Sequence, residues 1–351
     1  MAKVFIEEYP HGPGGHCSST ALRDLLKFYG HDFTEEMVFG IGVGIGFIYY
    51  SHPEMKPPVY IGGRAHNMEE QLCSQLGIGF EVVSGLGPEE GWLDVKQMLD
   101  DGIPTMVHAD VYYLDYLRAK THFSAHRIML VGYDEEKGVA FVADNDRDEI
   151  QECSLENLST ARSSAYLPQP AENAFYLFKV PEKLTPLEEA IPAALGKAVR
   201  FNLRLAPEQE TFDFDGARIV RGVKGLQDFA SEMDRWPEKM DEGTLSLLCK
   251  TIYVTAEKGG TGYGGNFRRM YGRFLKEAAP LVGRPGLSGV GEDFIAVGDL
   301  WTRLSLTFKD LSEDGVKAVR EASPIAKEIH RREVEAFSAL EDIVKLVWEG
   351  A

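Results

Sequence analysis

One cysteine stands where covalent chemistry is favoured. Cys17 follows Gly14 and Gly15 and opens an amphipathic segment, residues 18–29, which predicts a helix ending before Gly30. Unpaired backbone N–H groups and the positive end of the helix dipole both favour a thiolate in the first turn. Because the thiolate is the nucleophilic form, the position predicts a nucleophile. A small buried cysteine is the equally common alternative.

A histidine and an aspartate are expected to meet across a predicted hairpin. His126 begins a strand signal at 127–133, and Asp144 follows another at 139–143, with a short loop containing Gly138 between the two strands. The outer ends of a hairpin lie together, close enough for cross-strand side chains to touch. A carboxylate that orients an imidazole is the support that a cysteine nucleophile requires. The sequence therefore predicts a catalytic triad of the cysteine, His126 and Asp144.

Neighbouring residues leave alternatives to this triad. A shifted strand register would replace the aspartate by Asn145 or Asp146. His122, in the loop before the strand, could serve as the base, whereas His16 is expected to diverge from the adjacent cysteine. His11, six residues before the cysteine, could help to bind an oxyanion together with the cysteine N–H, although a solvated loop histidine is the commoner case.

The elements that must position these residues divide the chain in two. Up to about residue 180 helix and strand signals alternate, and beyond Pro186 nearly every segment has helical period. The 351-residue length also favours two domains. The sequence thus predicts an α+β domain over residues 1–182 and an all-α helical domain over 183–351.

Composition excludes several classes of function. The formal net charge of −18 disfavours nucleic-acid binding. The longest apolar stretch, residues 37–50, is shorter than the roughly 20 residues of a membrane span. No signal-peptide pattern is found, so we expect a cytoplasmic protein without a membrane partner. The four cysteines are widely scattered, which predicts neither a disulfide scaffold nor a metal site.

An ordered set of motifs resembles a known family. The first half resembles the N-terminal domain of the butirosin biosynthesis H protein family over roughly residues 11–180. The matching runs are HCSSTALRDLLKFYG at 16–30, FGIGVG at 39–44, Gly63-Arg64, DVYYLDY at 110–116, HRIMLVGYD at 126–134 and VAD at 142–144. The helical half is similar to the domain of unassigned function that often follows it, notably in GGTGYGGNFRR at 259–269.

The resemblance implies a papain-like fold, distantly similar to cysteine peptidases that process bacteriocin leaders. Papain relatives place an oxyanion-hole glutamine six residues before the cysteine, where this chain has His11. The butirosin protein looks like an acyltransferase of secondary metabolism, which moves an aminoacyl group from a carrier-protein thioester to an aminoglycoside amine. By similarity, Cys17 would accept the acyl group, His126 would move protons and Asp144 would orient His126.

Binding sites for the two substrates are weaker predictions. The donor would be an acyl-phosphopantetheine on an acyl carrier protein, or an acyl-CoA, and the acceptor a small-molecule amine. No bound cofactor is expected, and a homo-oligomer is compatible with the sequence. Candidate binding residues are Arg64 for an anion, Asp110 and Tyr113 for the amine, and Gly264, Gly265 and Arg268 for a phosphate at a helix N-terminus.

Three functions therefore compete. The first is a cysteine-dependent acyltransferase that forms an acyl-Cys17 intermediate and passes the acyl group from a thioester to an amine. The second is a cysteine peptidase or amidohydrolase that uses the same three residues. The third is a binding protein that keeps the fold without the chemistry.

Overall fold

The computed structural model describes residues 3–64, 67–166, 169–203, 211–214, 217–258 and 262–348. The strands are β1 (Lys3–Phe5), β2 (Ile45–Ser51), β3 (Val59–Arg64), β4 (Gly79–Val83), β5 (Thr105–Ala109), β6 (His126–Asp134), β7 (Val139–Ala143), β8 (Gln151–Ser154), β9 (Phe175–Lys179), β10 (Thr211–Phe214) and β11 (Ala217–Arg221). The α-helices are α1 (Cys17–Phe28), α2 (Glu35–Ile41), α3 (Met68–Leu76), α4 (Pro88–Asp100), α5 (Leu155–Arg162), α6 (Leu187–Leu203), α7 (Gly222–Glu232), α8 (Trp236–Lys239), α9 (Glu242–Tyr253), α10 (Arg268–Leu281), α11 (Gly286–Asp310) and α12 (Gly315–Trp348).

The chain forms two compact units. The first unit contains the described residues up to Val38 together with Leu76–Leu184, and the second contains Phe39–Gln75 together with the described residues from Thr185 onward. The sequence places one boundary between residues 182 and 183. The division seen in the structure differs from this single boundary, because residues 39–75 precede it in the sequence but pack with the second unit. Of the helices in the described ranges, none combines the length and the apolar character that membrane crossing requires.

The first unit is built on an antiparallel sheet. The strands lie in the order β4-β9-β5-β6-β7-β8, and β1 pairs with the far end of β6. Gly132 of β6 lies where β1 crosses, and a Cβ there would come within 2.3 Å of the Val4 carbonyl oxygen, so only glycine fits. Helices α4 and α5 cover an apolar core that includes Leu99, Ile128 and Leu158. Helix α1 packs against β6, which brings the start of that helix to the sheet.

The second unit is mainly helical but also contains a sheet. The long helices α11 and α12 pack against each other and against α7 and α9. An antiparallel sheet in the order β10-β11-β2-β3 packs apolar side chains into this helical core, among them Phe47, Tyr49 and Ile61. The predicted fold class, an α+β region followed by a helical region, is confirmed. The sheet is an addition to the all-α domain that the sequence predicts for residues 183–351.

Candidate active site

Helix α1 begins at Cys17 and is capped by the residue before it. His16 has an extended backbone with φ of −151°, and its Nδ1 accepts a hydrogen bond from the Ser19 N–H at 3.3 Å. This side-chain bond satisfies one of the N–H groups that a helix leaves unpaired in its first turn. The helix buries Leu22 and Leu25, so its N-terminus, and with it the sulfur of Cys17, is held in a fixed place.

The loop before the helix is tied down by Glu35, at the start of α2. Its buried carboxylate accepts hydrogen bonds from the backbone N–H of Gly15 at 2.8 Å and of His16 at 2.9 Å. It also accepts from the hydroxyls of Ser19 at 2.7 Å and Thr20 at 3.1 Å. Four donors around one carboxylate fix both the loop and the first turn of α1.

His126 and Asp144 form a close pair at the ends of β6 and β7. The His126 Nε2 lies 2.9 Å from each carboxylate oxygen of Asp144. Asp144 is buried and also accepts hydrogen bonds from the Tyr116 hydroxyl at 2.8 Å and from the Asn145 N–H at 2.8 Å. These donors hold the Asp144 carboxylate in one orientation, and the carboxylate in turn orients the His126 imidazole.

The Cys17 thiol lies within hydrogen-bonding contact of His126. Because Nε2 of the imidazole is held by Asp144, the other ring nitrogen, Nδ1, is the one available to the sulfur. The structure therefore brings the three predicted residues together in the order Cys17, His126, Asp144.

The pKa values in this group favour an ion pair. Burial raises the pKa of the Cys17 thiol, but the electrostatic interaction with His16 and the hydrogen bond to His126 bring the pKa well below its ordinary value. Burial lowers the pKa of His126, but the charge and hydrogen bonds of Asp144, followed by the contact with Cys17, raise it well above its ordinary value. Both shifts favour a thiolate next to an imidazolium.

The other cysteines behave in the opposite way. Burial raises the pKa of Cys73 and of Cys153 to about 12, and that of Cys249 to about 11. All three are buried thiols. Cys17 is therefore distinguished from them by its charged neighbours and not by its burial.

His16 contacts the sulfur, although adjacency in sequence predicts that the two side chains diverge. Its Nε2 lies 3.9 Å from the Cys17 Sγ. Since Nδ1 accepts the hydrogen bond of the Ser19 N–H, the ring proton is on Nε2, the nitrogen that lies near the Cys17 sulfur. Helix capping thus sets the orientation of a second imidazole beside the cysteine.

His11 and Asn145 connect the loop before Cys17 to the strand end. The His11 Nε2 is 2.9 Å from the carbonyl oxygen of Arg147, and its Nδ1 faces Asp24 at 3.4 Å. Both ring nitrogens have protein neighbours, which does not favour the predicted oxyanion role. Asn145 donates its side-chain N–H to the Gly14 carbonyl at 3.2 Å, so it holds the loop and does not replace Asp144.

The predicted amine site at Asp110 and Tyr113 is occupied by internal contacts. The Asp110 carboxylate is fully buried and accepts hydrogen bonds from His122 at 2.8 Å and from Ser164 at 2.7 Å. His122, the alternative base, also stacks on the ring of Tyr166. Tyr113 lies in the one-turn 3-10 helix that follows Asp110. This cluster organises the loop before β6, and the structure does not offer Asp110 to a ligand.

The predicted anion sites lie in the second unit. The Gly265 N–H donates to Glu257 at 2.9 Å, and a Cβ at Gly264 would come within 2.6 Å of the same carboxylate. Arg268 forms a buried two-pronged ion pair with Glu333, at 2.7 and 2.9 Å. Internal carboxylates thus take the groups expected to bind phosphate, so this site is not formed.

Arg64 ends β3 in the second unit, where its charge lowers the pKa that burial raises at Tyr60. Residues 259–261 of the glycine-rich run lie outside the described residues. No cluster of three or more potential metal ligands occurs in the part of the chain that the structure describes.

Comparison with known families identifies the family of this chain. Residues 16–145 match the family described as butirosin biosynthesis protein H, N-terminal, and residues 156–340 match the domain of unknown function DUF4872. The chain belongs to the family that combines these two domains, as the motifs predict. No curated protein matches the chain.

Three residues of the site escape sequence reasoning. Glu35 is a helix-opening acid in the sequence, and Tyr116 is one of several tyrosines in a loop. His16 does carry a signal, because a side chain directly before a helix caps it, and capping fixes the direction of the ring. The roles of Glu35 and Tyr116 depend on tertiary packing that no local pattern displays.

Proposed function

We propose that this chain is a cysteine-dependent acyltransferase that forms an acyl-Cys17 intermediate and passes the acyl group to an amine. The observation that carries the proposal is the hydrogen-bonded series of Cys17, His126 and Asp144, with a thiol pKa lowered and an imidazole pKa raised. Such a pair supplies a nucleophile and a proton donor at neutral pH without an external base.

In the first half-reaction the Cys17 thiolate attacks the carbonyl carbon of a thioester. The C–S bond to Cys17 forms, and the electron pair of the carbonyl moves onto its oxygen. When the tetrahedral intermediate collapses, the bond to the donor sulfur breaks, and the His126 imidazolium gives its proton to the leaving thiolate. The products are acyl-Cys17, a free donor thiol and a neutral His126.

In the second half-reaction an amine attacks acyl-Cys17. The new C–N bond forms, neutral His126 accepts the proton from the nitrogen, and the Cys17 thiolate leaves. The thiolate and imidazolium pair is thereby restored, and the net change is thioester plus amine to amide plus thiol. Asp144 stabilises the imidazolium in both half-reactions through its two contacts at 2.9 Å.

The oxyanion of either intermediate needs hydrogen-bond donors close to Cys17. The backbone N–H of Cys17 belongs to the first turn of α1, where helix N–H groups have no intrahelical acceptor. The Nε2–H of His16, 3.9 Å from the sulfur, is a second donor. Donors must approach the developing oxyanion and not the sulfur, and these two N–H groups are the candidates for that role.

Our choice of a thioester donor and an amine acceptor is suggested by the family to which the chain belongs, whose name refers to butirosin biosynthesis. We propose an acyl-phosphopantetheine on a carrier protein, or an acyl-CoA, as donor and a small-molecule amine as acceptor. An acidic carrier protein would need a local basic surface, because the formal net charge of this chain is −18.

Intact-protein mass spectrometry tests the proposal. The protein is incubated with acetyl-CoA, hexanoyl-CoA and aminoacyl N-acetylcysteamine thioesters, and the mass is read before and after adding glucosamine. We expect a mass gain of one acyl group in the unsubstituted protein. We expect the same gain in Cys153→Ala, because the Cys153 thiol that it removes has a raised pKa and should not react. Cys17→Ala should gain none. Glucosamine should then discharge the acyl group and appear as an amide.

Two other outcomes would change the assignment. Release of free acid at the same rate with and without amine would identify a hydrolase that uses the same residues. Absence of any Cys17-dependent mass gain across these thioesters would contradict the acyl-enzyme proposal.

A further inference from the structure

A cavity of about 160 Å³ lies between α4 and α5 in the first unit. Its apolar wall is formed by Pro88, Trp92, Leu155 and Leu158. An apolar cavity of similar size, about 150 Å³, can hold a benzene molecule. This cavity therefore has room for a small ligand, and its wall favours an apolar body.

A buried arginine also lines the cavity. Arg162 is 2% exposed and donates through one terminal nitrogen to the carbonyl oxygens of Gly91 at 3.2 Å and Asn173 at 3.1 Å. Its Nε has no hydrogen-bond partner in the described part of the chain. The guanidinium is thus held in place by carbonyls while part of its donor capacity is unused.

No carboxylate among the described residues compensates for the charge of Arg162. Burial lowers the pKa of Arg162 to about 10, with no contribution from an acidic neighbour, so the group stays cationic at neutral pH. Arg268 shows the contrast, because its equally buried guanidinium is paired with Glu333. An unpaired buried charge is costly and persists only where something compensates for it.

The remaining polar groups of the cavity restrict what would fit. Glu89, in the first turn of α4, also lines the cavity, is exposed to solvent and makes no ion pair with Arg162 among the described residues. A carboxylate at this position repels a ligand with two negative charges more strongly than a ligand with one. The N–H groups of the guanidinium that do not bind the carbonyls of Gly91 and Asn173 can donate a charge-assisted hydrogen bond to a ligand carboxylate.

From the cavity, its apolar wall and the uncompensated guanidinium, we propose that this site binds a small monocarboxylate with an apolar body. The carboxylate lies against Arg162, and the body packs against Trp92, Leu155 and Leu158. The site is separate from Cys17, and the proposal stands whether or not the protein transfers acyl groups.

Isothermal titration calorimetry with benzoate and hexanoate tests the proposal, with benzamide as the uncharged match to benzoate. Losing one charge-assisted contact should weaken benzamide by about tenfold or more relative to benzoate. Ser159→Phe places a ring in the cavity from an exposed wall position and should abolish benzoate binding. Thr160→Phe, at the next exposed position and not on the cavity wall, is the matched control and should bind as the unsubstituted protein does.

Arg162→Gln should remove the preference for benzoate over benzamide, and circular dichroism checks its folding. If Arg162→Gln does not fold, the proposal is still tested by two comparisons: benzoate against benzamide, and Ser159→Phe against Thr160→Phe. Absence of binding by both acids at low-millimolar concentration would overturn the proposal. Equal affinity for benzoate and benzamide, or equal loss in Ser159→Phe and Thr160→Phe, would overturn it as well.

Discussion

Replacing Glu35 by glutamine tests whether one carboxylate holds the nucleophile loop. In the structure this carboxylate accepts hydrogen bonds from the N–H groups of Gly15 and His16 and from the hydroxyls of Ser19 and Thr20. Glutamine has nearly the same shape but only one acceptor oxygen. Its NH₂ group must then face at least one of these donors, which loses its acceptor.

The expected loss of stability follows from these contacts. A hydrogen bond to a charged group contributes about 1.5–3 kcal/mol, and a buried donor left without a partner costs about 1–3 kcal/mol. The hydroxyls can rotate to other acceptors, whereas a backbone N–H cannot. We therefore expect Glu35→Gln to lower the free energy of unfolding by about 2–4 kcal/mol. Glu36→Gln, one residue along α2 and only half-buried, should change it by less than about 0.5 kcal/mol.

Urea denaturation measures this difference, and hydrogen exchange locates it. Peptides that cover residues 12–20 should exchange faster in Glu35→Gln than in Glu36→Gln, because the N–H groups of Gly15 and His16 lose a charged acceptor. Alkylation of Cys17 should also slow, since the helix start that carries the sulfur becomes mobile. Equal urea midpoints and equal protection in the two variants would refute the reasoning.

Three further perturbations have directions set by the structure. Asp144→Asn removes a charge that raises the pKa of His126, which in turn helps to lower the pKa of Cys17. The rise of the Cys17 alkylation rate with pH should therefore move to higher pH than in the unsubstituted protein, and rates measured between about pH 5 and 9 distinguish the two. Tyr116→Phe deletes a 2.8 Å hydrogen bond to Asp144 and should cost about 1 kcal/mol of thermal stability, read from the shift in Tm. Glu333→Gln leaves Arg268 buried without its partner and should cost about 3–5 kcal/mol in urea denaturation while Cys17 alkylation is unchanged.

For each of these variants, one experimental result would contradict the prediction. An Asp144→Asn profile that coincides with that of the unsubstituted protein would mean that the carboxylate does not hold the imidazolium. A Tyr116→Phe variant with an unchanged Tm would mean that the phenol bond adds nothing to the folded state. Slower Cys17 alkylation in Glu333→Gln would contradict the assignment of this ion pair to stability alone.

Local patterns were sufficient for many elements and insufficient for others. The strands His126–Asp134 and Val139–Ala143 and the helix Cys17–Phe28 lie within one residue of where the sequence predicts them. Their ends are marked by turn residues, and their apolar periods are clear. The strand Ile45–Ser51 is different, because its first five residues are all buried and their apolar run has no alternation that would distinguish a strand.

The site shows the same division between local and tertiary information. The meeting of His126 and Asp144 follows from hairpin geometry, and the position of Cys17 follows from its helix start. That Arg268 binds Glu333, 65 residues away, and not a phosphate, depends on tertiary packing, because α11 packs against both α10 and α12 and so brings the two residues together. A glycine-rich turn with an arginine looks the same in sequence whether its partner is a ligand or an internal acid.

In the proposed acyl transfer, the charge arrangement would let one imidazole act first as an acid and then as a base. The pKa of His126 is raised by Asp144 and also by the hydrogen bond and negative charge of Cys17. Acylation removes the charge of the thiolate, so the part of the increase that comes from Cys17 disappears while the part from Asp144 stays. In the proposed reaction the pKa of His126 would therefore fall when Cys17 is acylated, which favours release of its proton to the leaving thiolate. The neutral imidazole that results is the base that an incoming amine requires, and departure of the Cys17 thiolate raises the pKa again.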